Sequence, residues 1–135
     1  MTRRVLLDAN MLIGGLDNDP GNAEHQASRQ LFEELMADEN VEVVVSPLTR
    51  YEVLCGIKRI PAADVEAALD AIEHYSVTEA EADRAAELFR LYKDRYEVKS
   101  QPMNRYKRAF DLFYCACLEV NGLEPCSRME TSKIF

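Results

Sequence analysis

The sequence lacks any apolar run near the roughly 20 residues that a membrane-spanning helix needs. It also lacks internal repeats and low-complexity stretches. At the amino end, a short apolar run follows Arg4 and meets Asp8, so it is too short for the core of a secretory signal. We therefore expect a cytosolic protein with no membrane partner.

Cysteine and histidine are both scarce. The two histidines lie far in sequence from the cysteines, and no cysteine pair has Cys-x-x-Cys spacing. This pattern argues against a zinc site and against a disulfide framework. We expect buried or half-buried thiols in a reducing compartment. The four cysteines are Cys55, Cys115, Cys117 and Cys126.

Length and charge give two further limits. A chain of 135 residues that is 47% hydrophobic can bury one core and leaves little room for a second, so we expect one domain over residues 1–135. The net charge of -8 at first argues against nucleic acid as a partner, because phosphate binding draws on lysine and arginine. Residues 84–108, however, carry eight basic and three acidic side chains, a local net charge of +5. This segment is either a solvated helix face or a basic lip beside an acidic pocket.

Hydrophobic patterns predict strands that alternate with helices. The apolar run at residues 5–7 and the β-branched run at 41–45 are typical of buried strands. Pro125 restricts a last strand to an edge of the sheet or to its own first residue. Helices are predicted at residues 9–13, 22–38, 47–57, 61–72, 78–92 and 109–120, short strands at 75–77 and 123–127, and a break at 100–102. Ser46 before Pro47 predicts an N-cap, residues 78–81 have the form of a capping box, and Asn-Gly at 121–122 predicts a helix end.

The connections between strands predict the topology of the sheet. Helices rather than two-residue turns separate the strands, so the connections are crossovers and the sheet is mainly parallel, which makes this an α/β protein. Ligands of such sheets gather beyond the carboxyl ends of the strands. Asp8 follows the first strand and Glu52 lies in the helix after the second. Both acids are therefore predicted near one edge.

Asp8 and Asp111 each precede an apolar helical segment. A purely structural role is possible for both. Asp8 suits an N-cap or an Asx turn, and Asp111 suits the first turn of a helix, where it stabilises the helix dipole. The alternative is that both carboxylates bind a metal ion.

Glu52 lies on the same helical face as Leu48 and Cys55, and we expect that face to point inward. A carboxylate in such a place needs a partner, because an unpaired buried charge is costly. Arg50 or Lys58 could supply the opposite charge, and so could a cation shared with other acids. Carboxylates that share one edge repel each other unless a cation lies between them. Oxygen-only ligands favour magnesium or manganese over zinc.

Three segments occur in an order and at a spacing that resemble the PIN-domain family, in particular the toxins of bacterial VapBC toxin–antitoxin pairs. The opening strand and acid of the family resemble Leu-Leu-Asp-Ala-Asn at residues 6–10. Its second motif is similar to residues 46–54, Ser-Pro-Leu-Thr-Arg-Tyr-Glu-Val-Leu. Its third motif, an Asp before an apolar and alanine-rich helix, is similar to residues 111–118. The resemblance covers essentially the whole chain.

The fourth motif of the family departs from its pattern here. The family has a Thr followed by Asn or Asp, with a closing Asp-Phe. In this sequence Ser127 stands for the Thr and Phe135 for the closing aromatic residue. Met129 occupies a position where a polar residue is expected, and Glu130 is the best remaining acid. The resemblance therefore implies Glu130 as the candidate for the fourth acidic ligand.

The resemblance implies a three-layer α/β/α sandwich with a mainly parallel central sheet. It also implies an endoribonuclease that hydrolyses RNA phosphodiester bonds with Mg²⁺ or Mn²⁺. The acids implied in catalysis are Asp8, Glu52, Asp111 and Glu130, of which the first three bind the metal. Asn10 and Ser127 are implied to hold those carboxylates or the water by hydrogen bonds.

The resemblance further implies two protein partners. One is a cognate antitoxin, which would lay a helix or strand along the active groove and offer a basic side chain to the acids. The other is a second copy of this chain, and the apolar helical surface at residues 61–72 permits such a homodimer.

Three other functions are compatible with parts of the pattern. A phosphatase of the haloacid-dehalogenase type also begins with Asp after a strand, but it requires a second Asp two residues later, where this chain has Asn10. A non-catalytic binding module with a PIN-like fold remains an alternative. A nuclease directed at DNA is another.

Overall fold

The computed structural model describes residues 2–97 and 105–126, without the side chains of 92–97 and 105–108. Within these residues, helices follow strands along most of the chain. The strands are β1 (Arg3–Leu7), β2 (Val41–Val45), β3 (Glu73–His74) and β4 (Glu124–Cys126). The helices are α1 (Ala9–Leu16), α2 (Ala23–Ala37), α3 (Pro47–Gly56), α4 (Ala62–Asp70), α5 (Glu79–Glu97) and α6 (Arg105–Asn121).

The chain divides into two compact units. The first comprises the described residues 2–76 and 123–126, and the second comprises 77–97 and 105–122. The first unit therefore contains the whole sheet with α1 to α4, and the second contains α5 and α6.

The sheet of the first unit has four strands in the order β3-β2-β1-β4, and every pair is parallel. This confirms the predicted α/β fold with a parallel sheet. Pro125 lies in β4, which is an edge strand, as a residue without a backbone N–H requires. The helices predicted after each strand provide the crossovers between them.

The core of the first unit forms where the ends of β1 and β2 meet α1 and α3. Leu7, Met11, Leu12, Val45 and Val53 are all fully buried in one cluster. The strands are apolar on both faces at this end, as is usual when helices cover a parallel sheet. Full burial of each such side chain stabilises the folded state by roughly 1.5–3 kcal/mol.

The second unit is a helical pair that begins with the predicted capping box. The Glu81 carboxylate accepts hydrogen bonds from the Thr78 backbone N–H (2.7 Å) and from the Thr78 hydroxyl. Asn121 of α6 donates to the same buried carboxylate at 3.0 Å. Leu88 and Leu112 pack together between the helices. The cap of α5 is thereby tied to the end of α6.

Several predicted boundaries were wrong. Helix α1 ends at Leu16 rather than at 13, α4 ends at Asp70 rather than at 72, and α5 ends at Glu97 rather than at 92. The strand expected at 75–77 is instead β3, Glu73–His74. The Tyr75 N–H still donates to the Val45 carbonyl at 2.8 Å, but β2 ends at Val45 because Ser46 caps the next helix, so residues 76 and 77 have no strand to pair with. Helix α6 begins at Arg105 rather than at 109, since arginine and lysine are good helix formers that carry no apolar pattern. The break predicted at 100–102 lies outside the described residues.

Gly122 ends α6 in the left-handed conformation, with φ of +60°. A Cβ atom there would meet no heavy atom within 4 Å, so only the backbone conformation opposes a side chain. We predict that Gly122→Ala lowers the free energy of unfolding by about 1–2 kcal/mol, and that Gly122→Asn lowers it less. Urea denaturation monitored by circular dichroism measures both.

Gly21→Ala is the matched control for this prediction. Its Cβ would lie 3.4 Å from an Asp19 carboxylate oxygen, an ordinary contact, and its φ is outside the left-handed region. Equal losses of stability in the Gly21 and Gly122 variants would contradict the explanation by backbone conformation.

Candidate active site

The register of the parallel strands brings two helix N-termini to the same edge of the sheet. Leu6 of β1 pairs with Val44 of β2. Asp8 follows Leu6 by two residues, and Ser46 follows Val44 by two residues. The chain therefore leaves both strands at the same level of the sheet. On the other side of β1, Leu7 pairs with Cys126, so β4 also ends at this edge. We call this place the carboxyl edge.

Asp8 caps α1. Its Oδ1 atom accepts a hydrogen bond from the Met11 backbone N–H at 2.9 Å, and the residue is buried, with 8% of its surface exposed. The structural role considered for Asp8 is therefore real. It does not exclude metal binding, because the positive end of a helix dipole favours a charged carboxylate. Burial, followed by the charge of Asp8, raises the pKa of the Cys126 thiol to about 11, so this acid acts on the end of β4 as well.

Glu52 lies in the second turn of α3, which Ser46 caps by accepting a hydrogen bond from the Thr49 N–H at 3.1 Å. Glu52 is half-buried. The inward face predicted from Leu48 and Cys55 is wrong in part, because the buried residues of α3 are Thr49 and Val53, while Cys55 is exposed.

Arg50 was one candidate for neutralising Glu52. It binds elsewhere: its Nη1 atom lies 2.8 Å from a carboxylate oxygen of Asp70 and 3.2 Å from Nε2 of His74. Asp8, the N-cap of α1, and Glu52 in α3 thus belong to two helices of the first unit that share one buried cluster.

The remaining predicted site residues are distributed differently. Asp111 is half-buried and lies seven residues into α6, not in the first turn, because that helix begins earlier than predicted. It belongs to the second unit. Asn10 is exposed in α1. Ser127 and Glu130 lie outside the described residues. The gathering of Asp8, Glu52 and Asp111 thus stays a prediction.

Two observations bear on a metal ion. Within residues 2–97 and 105–126, no three His, Cys, Asp or Glu side chains form a group that could hold a metal. The first unit nevertheless supplies hard oxygen donors on adjacent helices, from Asp8 and Glu52. Such carboxylate oxygens are donors that suit magnesium or manganese.

The basic segment at residues 84–108 is partly accounted for. Arg84 binds Glu119 at 2.5 Å and Glu87 at 3.1 Å, both within the second unit. This arginine therefore serves the packing of α5 on α6, as the solvated-face interpretation expects. The structure does not describe most of the other basic side chains of residues 84–108.

The described residues thus form an α/β protein with a four-stranded parallel sheet and Asp8 at its carboxyl edge. The sequence model of one family, the PIN domain, matches residues 5–124. The chain belongs to the PIN domain family. Among curated protein sequences, none matches significantly.

Two solved structures share this fold. A toxin–antitoxin complex from Klebsiella pneumoniae is 22% identical over 93% of this chain and 86% of that one, with a TM-score of 0.60. The VapC20 toxin of Mycobacterium tuberculosis, which cleaves the sarcin–ricin loop, is 15% identical over 88% of this chain and 84% of that one, with a TM-score of 0.55. Across the described part of this chain, no helix has the length and apolarity needed to cross a membrane.

The thiols near the predicted acids give a direct test of the packing. Burial raises the pKa values of Cys115 to about 12 and of Cys117 and Cys126 to about 11, whereas Cys55 is exposed. Since the thiolate is the reactive form, we predict that iodoacetamide at pH 8 alkylates native protein at Cys55 alone. Mass spectrometry of the digested protein locates the label.

Unfolding in guanidinium is the control, and it should expose all four thiols to the reagent. Rapid labelling of Cys126 in the native protein would contradict a closed end of β4 beside Asp8.

Proposed function

We propose that this chain is a cytoplasmic, divalent-metal-dependent endoribonuclease that serves as the toxin of a toxin–antitoxin pair. The observation that carries the proposal is the PIN domain match over residues 5–124, together with Asp8 at the carboxyl edge. The Klebsiella and Mycobacterium structures support the toxin role, since one contains a toxin with its antitoxin and the other is an RNA-cleaving toxin.

Each acid has a distinct task in this proposal. Asp8 and Glu52 bind the cation from the first unit, Asp111 adds a third carboxylate, and Glu130 is the candidate for a fourth. A bound Mg²⁺ or Mn²⁺ supplies Lewis acidity toward the phosphodiester and lowers the pKa of the attacking water. The N-terminus of α1 adds a favourable dipole for a negative charge at Asp8. Asn10 and Ser127 orient the carboxylates or the water through hydrogen bonds.

The proposed partners follow from the same comparisons. The substrate is RNA, and the antitoxin is a small protein that covers the carboxyl edge. We also propose a homodimer through the surface at residues 61–72. In that range Val65 and Leu69 are fully buried, so only the outer face of α4 is available for a second copy.

The central test is Asp8→Asn. Asparagine is as good an N-cap as aspartate, so α1 should remain capped and the free energy of unfolding should change by only a few tenths of a kcal/mol. The negative charge needed for the cation is lost, and we expect Mg²⁺-dependent cleavage of single-stranded RNA to fall by several orders of magnitude. Gel-resolved cleavage of a labelled RNA measures the rate.

Asp38→Asn is the matched control, because Asp38 accepts a local backbone hydrogen bond from Asn40 far from the carboxyl edge. Unchanged cleavage by the Asp8 variant would exclude the assignment. A wild-type protein with no EDTA-sensitive cleavage would favour the non-catalytic module, and preference for a DNA substrate of the same sequence would favour the DNA-directed nuclease.

The toxin role predicts a phenotype in cells. Induced expression of the wild-type chain should arrest growth, and Asp8→Asn at equal expression should not, because the arrest depends on cleavage. Colony counts after induction measure this. Equal arrest by both proteins would point to an effect of expression itself and contradict the toxin assignment.

A further inference from the structure

Asp17 connects α1 to the loop that follows α3, and it is not one of the carboxylates of the proposed site. Its Oδ2 atom accepts the backbone N–H of Lys58 at 2.7 Å, and its Oδ1 atom accepts those of Arg59 and Ile60, both at 2.9 Å. Asp17 is the C-cap of α1, whereas residues 58–60 directly follow the end of α3. One buried carboxylate, 2% exposed, thus ties together the C-terminal ends of two helices.

These hydrogen bonds stabilise the ionised form of Asp17. Burial alone raises the pKa of this carboxyl, but the three backbone N–H groups and the nearby Arg59 outweigh that effect and lower it below its ordinary value of 3.8. The Arg59 guanidinium itself pairs with Asp19 at 2.8 Å. The hydrogen-bond donors to Asp17 are therefore the backbone of the loop, and bonds to a charged acceptor are about twice as strong as neutral ones.

The two helices are also in close contact along their length. A Cβ atom added at Gly56, near the end of α3, would lie 2.6 Å from the Cδ1 atom of Ile13 in α1. Leu12 and Val53 share one buried cluster. The lack of a side chain at Gly56 lets the helices approach at the same end that Asp17 ties.

The opposite ends of these helices lie at the carboxyl edge. Helix α1 begins after Asp8, and α3 begins after Ser46 and carries Glu52. Glu52 lies four residues, about 6 Å, from the tied end of α3, so a tilt of about 5° there moves its backbone by about 0.5 Å, and a tilt of about 10° moves it by about 1 Å. Active sites hold their groups to within about 0.5 Å, and a displacement of about 1 Å can lower the rate by about 10²-fold.

We propose that Asp17 is a positioning residue, which holds the helix that carries Glu52 at a fixed angle to the helix that begins at Asp8. The proposal rests on the proposed function, because it assigns Asp17 to the geometry of that site without contact with the metal or the RNA. Asp17 acts on the site through the positions of the two helices.

The test variant is Asp17→Asn. The amide oxygen can still accept the bonds from Arg59 and Ile60, but the amide nitrogen meets the Lys58 N–H, so one hydrogen bond is lost and the charge with it. Well below its melting temperature, the variant should lose about 10–100-fold in kcat and in Mn²⁺ affinity, with little change in KM for RNA. Titration calorimetry with Mn²⁺ gives a readout besides activity.

Val65→Ala is the comparator for stability. Val65 is a fully buried residue of α4 in the same apolar cluster, so its truncation weakens the same unit but leaves the Asp17 carboxylate and its three hydrogen bonds in place. We expect Val65→Ala to lower the melting temperature and to leave kcat and Mn²⁺ affinity close to those of the wild type. If both variants lose activity in proportion to their melting temperatures, Asp17 is only a stabilising residue and the proposal is overturned.

Hydrogen–deuterium exchange separates this inference from the proposed function. In Asp17→Asn the amides of 58–60 and of α3 should exchange faster, while those of β2 stay protected. If the wild type shows no metal-dependent cleavage, the proposed function fails, and the exchange data alone decide whether Asp17 holds α3. Unchanged exchange in α3 would overturn the positioning role even in an active enzyme.

Discussion

The parallel register of β1 with β2 is the constraint on which the candidate site depends. Because Leu6 pairs with Val44, Asp8 and Ser46 leave the sheet together and begin adjacent helices. A shift by one residue would turn every side chain of one strand to the opposite face and would exchange buried for exposed positions. The apolar core at Leu7 and Val45 therefore fixes the register, and the register fixes Asp8 and the start of the Glu52 helix at one edge.

The N-terminal ends of α1 and α3 lie at the carboxyl edge, and Asp17 joins their C-terminal ends. At the carboxyl edge, the caps Asp8 and Ser46 satisfy the first backbone N–H groups of each helix. At the far end, Asp17 joins the helices through three backbone hydrogen bonds. A carboxylate that is buried and multiply bonded resists reorientation, which is what a site built on two short helices requires.

Local sequence patterns predicted the elements that depend on local physics. The strands β1 and β2, the caps at Ser46 and Thr78 and the stop at Gly122 all follow from residue type and spacing. The position of β3 depends on where its partner ends. Asp17 was missed because its hydrogen-bond donors lie 41 to 43 residues away in sequence, and no periodicity marks such a pair. The placement of Asp8 and of the Glu52 helix at one edge was predictable, because the crossover topology of a parallel sheet alone decides it.

The capping role of Asp8 and its proposed metal role require the same charge state. An N-cap carboxylate interacts with the positive end of the helix dipole, so folding itself favours the ionised form. A metal ligand must also be ionised, and a site that is already charged avoids the cost of deprotonation when the cation binds. The hydrogen bond from Met11 further fixes the orientation of the carboxylate through its Oδ1 atom. The capping role observed for Asp8 is therefore compatible with the metal role proposed for it, because one oriented carboxylate can serve both.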